Sequence, residues 1–300
     1  PVPYVSVAPT PQPSTSSPTG TPVPTTDGCV TDGMVSSGQK ISNDYGNLGY
    51  ALSSGDYFGW STGSIGDLDG DGVTDLAVGA YNDDDGNTNS GAVYVLFMAT
   101  DGTVKTSQKI SAVRSDFSQF YALASSHKFG ISCAGLGDLD GDGVPDLAVG
   151  AYLDDDGGSN AGAVYILFLK TDGDVQSVQK ISNHYGHMPY SIGGSEYFGW
   201  SSDSIGDLDG DGVVDVAVGA YADDDAGTDR GAVYILFLTT DGLTKSAQKI
   251  SSYYGGLSSF FTLTNYDYFG SGCSSLRDVD SDGVLDLAVT AYADDDGGSD

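Results

Sequence analysis

Asp67-Leu68-Asp69-Gly70-Asp71-Gly72-Val73-Thr74-Asp75 is one of four copies of D-x-D-x-D-G-x-x-D in this chain. The others run from Asp138 to Asp146, Asp207 to Asp215 and Asp278 to Asp286, at intervals of 71, 69 and 71 residues, with no carboxylate missing. Calcium takes six to eight oxygens at about 2.3–2.6 Å, and carboxylates at loop positions one, three and five converge when the backbone wraps tightly. Those positions are Asp67, Asp69 and Asp71; Asp138, Asp140 and Asp142; Asp207, Asp209 and Asp211; Asp278, Asp280 and Asp282. Position seven offers a backbone carbonyl: Val73, Val144, Val213 and Val284. In an EF-hand a glutamate would close the loop at position twelve, but a valine inside an apolar run stands there. Asp75, Asp146, Asp215 and Asp286 at position nine are the expected closing ligands. The pattern predicts four calcium sites, each set between two strands.

A second acidic run repeats at Asp83–Asp85, Asp154–Asp156, Asp223–Asp225 and Asp294–Asp296. Three adjacent carboxylates cannot point one way, so these read as solvated loops rather than a second ion site. Together the two sets hold 28 of the 41 aspartates in a 300-residue chain of formal charge −31. The acidity is thus organised by the repeat, unlike that of a disordered tail. A field of this sign repels nucleic acid and anionic membranes and attracts divalent cations. The apolar runs are far shorter than the ~20 residues of a membrane helix. The chain begins at Pro1 and shows no signal peptide. Weak, numerous calcium sites suit millimolar extracellular calcium, and an extracellular setting is expected.

Each repeat reads alike around its loop. Phe-Gly opens it at 58, 129, 198 and 269. Leu76-Ala-Val-Gly-Ala-Tyr81 or a copy follows the loop, then Gly91–Phe97, Gly162–Phe168 or Gly231–Phe237. Gln-Lys-Ile-Ser comes last, at 108, 179 and 248, with a further copy at 39. Four short strands per unit predict an all-β propeller of four four-stranded blades over 32–300. The Phe-Gly pair, the aspartate loop and the Val-Gly-Ala turn resemble the FG-GAP repeats of integrin α-subunit propellers over about 40–300. The resemblance implies calcium in the loop between the first two strands of each blade. Gly-Ala-Tyr stands where that family writes Gly-Ala-Pro, and Thr290-Ala-Tyr closes the last unit.

The units also alternate. Units one and three read Tyr-Phe-Gly-Trp (Tyr57–Trp60, Tyr197–Trp200), whereas units two and four carry Cys133 and Cys273 four residues after the Phe. The true period is a pair of 140 residues, which predicts a pseudo-twofold arrangement. Cys133 and Cys273 then lie on opposite blades and do not bond each other. Cys29 has either of them as a disulfide partner, in its own chain or a neighbouring one; three free thiols are the alternative.

Unit four shows its first two strands before Asp300, and 39–42 is expected to serve as its outermost strand. A third strand is still owed. Val2-Pro3-Tyr4-Val5-Ser6-Val7 fits it, Tyr4 matching Tyr94, Tyr165 and Tyr234, although Pro3 cannot donate to a ladder. Segment 1–8 is thus the expected donor strand, followed by an extended linker over 9–31. Residues 8–26 hold six prolines, nine serines and threonines and no charge. In polyproline II form these residues span about 60 Å. Thr10, Ser14, Thr15, Ser16, Ser17, Thr19, Thr21, Thr25 and Thr26 suit O-glycosylation. An arm of that reach suits strand donation to the last blade of another copy, a head-to-tail contact that builds a homopolymeric filament.

Enzyme signatures are wanting. His184 and His187 flank a loop read as solvated, and no nucleophile–base pair or phosphate-cradling glycine loop stands out. The aromatics of Tyr-Phe-Gly-Trp are expected to pack between blades. A structural, non-enzymatic protein is therefore the first expectation. An adhesion module of a larger protein comes second, and a polysaccharide-active enzyme on the same scaffold last.

Overall fold

In a computed structural model of the chain, residues 37–276 and 278–295 are described. Those from Gln39 onward belong to one compact unit. Blade one is an antiparallel meander of β1 (Thr62–Gly66), β2 (Asp75–Ala80), β3 (Ala92–Met98) and β4 (Val104–Ser111). Blade two holds β5 (Phe129–Gly137), β6 (Asp146–Ala151), β7 (Ala163–Leu169) and β8 (Val175–Ile181). Blade three holds β9 (Ser201–Gly206), β10 (Asp215–Ala220), β11 (Ala232–Leu238) and β12 (Thr244–Ile250). Blade four shows β13 (Phe269–Ser275) paired with β14 (Leu287–Ala291). The fold is an all-β propeller of four FG-GAP-type blades. No described helix is long and apolar enough to cross a membrane.

The third strands explain the core. β3 and β7 are buried at every position, as near-continuous apolar strands covered on both faces must be. Inner strands pack in chain order, β1 on β5, β5 on β9 and β9 on β13. At each step a parallel bridge ties the first residue before a third strand to the next Phe: Gly91 to Phe129, Gly162 to Phe198 and Gly231 to Phe269. Among the described residues no packing of that extent joins β13 to β1.

The pairwise period is built into the strands. β5 and β13 start at the Phe itself and bulge before Cys133 and Gly272, while β1 and β9 start later. Cys133 and Cys273 are free thiols at equivalent seams, 3.4 Å from Ser61 Oγ and Ser201 Oγ. Burial pushes them up to about 12 and about 11. Cys29, the strand Val2–Val7 and the linker threonines and serines lie outside the described residues.

Residues 39–42 form no ladder with β13 or β14; a lone bridge joins Ser42 to Tyr45. They do stand where a preceding blade's outer strand would. Gln39 Cβ lies 3.2 Å from an ideal Cβ on Gly102, as Gln108 does at Gly173 (3.1 Å) and Gln179 at Gly242 (3.2 Å).

Candidate metal centres

The loop before each second strand is folded by its own carboxylates. Asp67 Oδ1 and Oδ2 accept from the Asp71 and Gly72 amides at 3.0 and 2.8 Å, and Val73 N donates to Asp71 Oδ1 at 2.9 Å. Asp207 and Asp278 hold their loops the same way, Asp138 accepts from the Gly141 and Gly143 amides instead, and Val144, Val213 and Val284 donate to Asp142, Asp211 and Asp282. The turn needs left-handed backbone at positions four and six: Gly70 φ is 76° and Gly72 φ is 86°. The fourth loop departs here, placing Ser281 at φ 65° in position four.

Position nine joins loop to sheet. Asp75 is fully buried; Oδ2 accepts from Leu68 N and Oδ1 from Met98 N at the end of β3, both at 2.9 Å. Asp146 takes Leu139 N and Leu169 N, and Asp215 takes Leu208 N and Leu238 N. Burial pushes Asp75 and Asp215 above the usual carboxylate range and Asp146 up to about 7, with Asp140 and Asp142 adding to the last.

Carboxylate oxygens converge within 4.8 Å of one another in all four loops. The members differ: Asp67, Asp69 and Asp71 in loop one and Asp278, Asp280 and Asp282 in loop four, but Asp138, Asp140 and Asp146, and Asp207, Asp209 and Asp215, in the middle two. Asp75, Asp142, Asp211 and Asp286 stand outside those groups. An all-oxygen acidic set fits a hard divalent cation, and in loops two and three its charge would offset the burial of Asp146 and Asp215. A lysine competes in two loops. Lys105 Nζ reaches Asp69 at 2.8 Å and also Asp71; Lys245 Nζ reaches Asp209 at 2.6 Å and also Asp211. The Lys105 and Lys245 ammonium groups hold Asp71 and Asp211 below the usual range. Loop two has Gln176 instead, 3.3 Å from Asp142 Oδ2.

The aspartate triplets correct the solvated-loop expectation. Asp83, Asp154 and Asp223 are buried, and each accepts from a buried tyrosine: Tyr94 at 3.0 Å, Tyr165 at 2.7 Å and Tyr234 at 2.9 Å. The lysine of Gln-Lys-Ile-Ser closes the network. Lys109 meets Asp83 at 2.8 Å and Asp85 at 3.2 Å, Lys180 meets Asp154 at 2.8 Å and Asp156 at 3.3 Å, and Lys249 meets Asp223 and Asp225 at 2.7 Å. Asp84, Asp155 and Asp224 cap the turn by accepting from the amides of Asn89, Asn160 and Asp229. The trace it leaves in the sequence is a tyrosine and a lysine 11 and 26 residues after the first aspartate in all three units, which only the sheet brings together.

His184 is exposed and pairs with Asp156 at 3.0 Å, with no metal group around it among the described residues. Trp200 does pack between blades: its ring lies 4.7 Å from Tyr152, and Nε1 donates to Ser271 O. Trp60 packs on Tyr57 and Tyr81 of its own blade and is half exposed.

A sequence model of the FG-GAP repeat matches residues 58–96, 129–167 and 198–236. The fourth unit, with Ser281 and Thr290 in place of glycines, is not among those matches. Integrin alpha-PS2 of Drosophila melanogaster is 34% identical over 178 residues, 57% of this chain and 12% of that protein. Integrin alpha-5 of Xenopus laevis is 34% identical over 215 residues, 69% of this chain and 18% of that protein. Human integrin alpha-11 is 36% identical over 178 residues, 55% of this chain and 13% of that protein. The chain therefore spans less than a fifth of the length of each. With three matched repeats on four blades of this topology, the chain belongs to the integrin-alpha-like FG-GAP repeat family.

Proposed function

We propose that the chain is an extracellular, calcium-stabilised adhesion-type propeller whose fourth blade takes Val2–Val7 of a neighbouring copy as its third strand, linking copies head to tail into a filament. Calcium would be held in all four loops, by the carboxylates at positions one, three, five and nine and the position-seven carbonyls. The observation that carries the assembly is the contrast between blade four and the rest. Val289 and Ala291 are partly exposed, whereas Val149, Val218, Ala151 and Ala220 at the same places are buried beneath a third strand. That strand supplies each blade's buried tyrosine, and Tyr4 is the matching residue in the N-terminal pattern. An edge left bare is an aggregation hazard, and strand addition covers it. Sugars on Thr10 to Thr26 would keep the linker extended and solvated.

Electron microscopy of the full chain and of a deletion of residues 1–8, each with calcium, tests the assembly. The full chain should form beaded fibres and the deletion single particles. Fibres from the deletion overturn strand donation; single particles from both leave an adhesion module whose ligand is to be sought, the reading that similarity to integrin alpha subunits favours.

A further inference from the structure

Blade-on-blade packing rests on a two-residue device that recurs three times. The glycine of each second strand's Val-Gly-Ala lies directly under the next blade's Phe-Gly corner. An ideal Cβ on Gly79 would fall 2.0 Å from Gly130 O, on Gly150 1.9 Å from Gly199 O, and on Gly219 2.0 Å from Gly270 O. Beside each glycine stands a serine of the first strand's entry, which donates to the same carbonyl. Ser61 Oγ meets Gly130 O at 2.9 Å, Ser132 Oγ meets Gly199 O at 3.0 Å and Ser201 Oγ meets Gly270 O at 2.9 Å. Removal of the serine leaves a carbonyl short of a donor, and any side chain at the glycine occupies the carbonyl's place.

Blade four inverts both residues. Its glycine is Thr290 and its serine is Gly272. Thr290 Oγ1 lies 3.0 Å from Ser271 Oγ and fills the space above Gly272, where an ideal Cβ would come within 2.8 Å of it. The exchange is compensated within the blade, as a built feature is. Thr290 and Ala288 are exposed, whereas Ala77, Ala148 and Ala217 at the latter place are fully buried. At the other end of the array, Gly59 keeps its corner at φ 88°, but an ideal Cβ there meets nothing within 4 Å. Gly130, Gly199 and Gly270 are covered by Ala92, Ala163 and Ala232 carbonyls at 2.4, 2.4 and 2.3 Å.

We infer that Gly272 and Thr290 are a stop for blade stacking: blade four cannot seat a Phe-Gly corner, whether blade one's own or that of another copy. The pair determines specificity at an interaction surface. It keeps a second copy, whose blade one carries an intact Tyr57-Phe58-Gly59 corner, from adding face to face. This concerns the face of the blade, whereas the donated strand proposed above joins its edge, so each stands or falls separately.

The test restores the seam. Gly272→Ser/Thr290→Gly in the chain lacking residues 1–8 should gain a fourth seat for a corner. Light scattering should show either multiples of the monomer mass, if copies stack, or a monomer melting at least ~3 °C higher, if blade one closes on blade four. A monomer with an unchanged melting point overturns the inference. If the variant does not fold, the reverse exchange decides: Ser201→Gly/Gly219→Thr should unseat blade four and raise the alkylation rate of Cys273 at least tenfold, with Cys133 still protected. Cys273 as slow to react as in the unaltered chain overturns the inference equally.

Discussion

Asp146 and Asp154 lie eight residues apart in blade two, and each is 1% exposed, yet their electrostatics are opposite. Asp154 feels the same burial but has Lys180, Tyr165 and His127 Nδ1 (3.2 Å) around it, and the two basic groups hold it below the usual range. Asp146 has two backbone amides and further carboxylates for company, and stands at about 7. Asp154 carries its counter-ions in the chain; Asp146 has no ion pair among the described residues. Burial of a charge is tolerated only with pairing, so the two sets must answer differently to every change in the medium.

Removal of calcium is the widest of these tests. A loop filled at a hundred times its dissociation constant adds about 2.7 kcal/mol, so several filled loops outweigh any single substitution. EGTA should therefore lower the melting point by well over 10 °C, with the triplet networks intact until the whole blade unfolds. Differential scanning calorimetry in calcium and in EGTA reads this, and equal melting points would remove the loops from the stability of the fold.

The next effect belongs to the other set. Lys180→Met leaves buried Asp154 and half-buried Asp156 without their lysine, a loss of about 3–5 kcal/mol by analogy with broken buried pairs. Calcium titration calorimetry on the same variant should show the loops binding as before. A drop below ~1 kcal/mol in urea unfolding would mean that the triplet is no more than the solvated loop its sequence suggests.

Three consecutive aspartates look alike on paper, and only their partners tell them apart. The calcium-type loop was legible because its spacing is self-contained: every carboxylate lies within nine residues. The meander and the pairing of units were legible for the same reason, since turn residues and apolar runs repeat locally. The triplet depends on a tyrosine from the third strand and a lysine from the fourth, brought together only by the sheet. The seam glycine reads in sequence as part of a turn, because the carbonyl that requires it comes from the next blade. Thr290 stands out as a departure in sequence, but its meaning depends on the position of Gly130 against Gly79.

Acid separates the two sets by sign. Asp146 is raised in the folded chain, so without calcium its contribution is favourable below the unfolded value near 4 and is lost as pH rises towards about 7. Asp85, Asp154 and Asp156 are depressed, so theirs is present above the unfolded value and lost as pH falls below it. In EGTA, stability should peak near pH 5 and decline on both sides. Calcium displaces the Asp146 proton and should abolish the decline towards neutrality while leaving the acid limb. Urea midpoints from pH 3 to 8 in both conditions check this; an identical neutral limb with and without calcium would detach Asp146 from the ion.

The smallest effect divides the loops among themselves. Lys105 and Lys245 place an ammonium on the position-three and position-five carboxylates of loops one and three, where loop two has neutral Gln176. An incoming cation must displace the lysine or share its carboxylates, and a solvent-exposed pair of this kind is worth little. Lys105→Gln should therefore tighten calcium at one site only a few-fold. The same change at Lys245 should do as much, and Gln176→Lys should weaken one site by a similar factor. Site-resolved titration, followed by protection of the loop amides against hydrogen exchange, measures each. If Gln176→Lys tightens binding instead, the lysine is a brace that holds the carboxylates ready, and the counter-ion in the chain works with the one from solution.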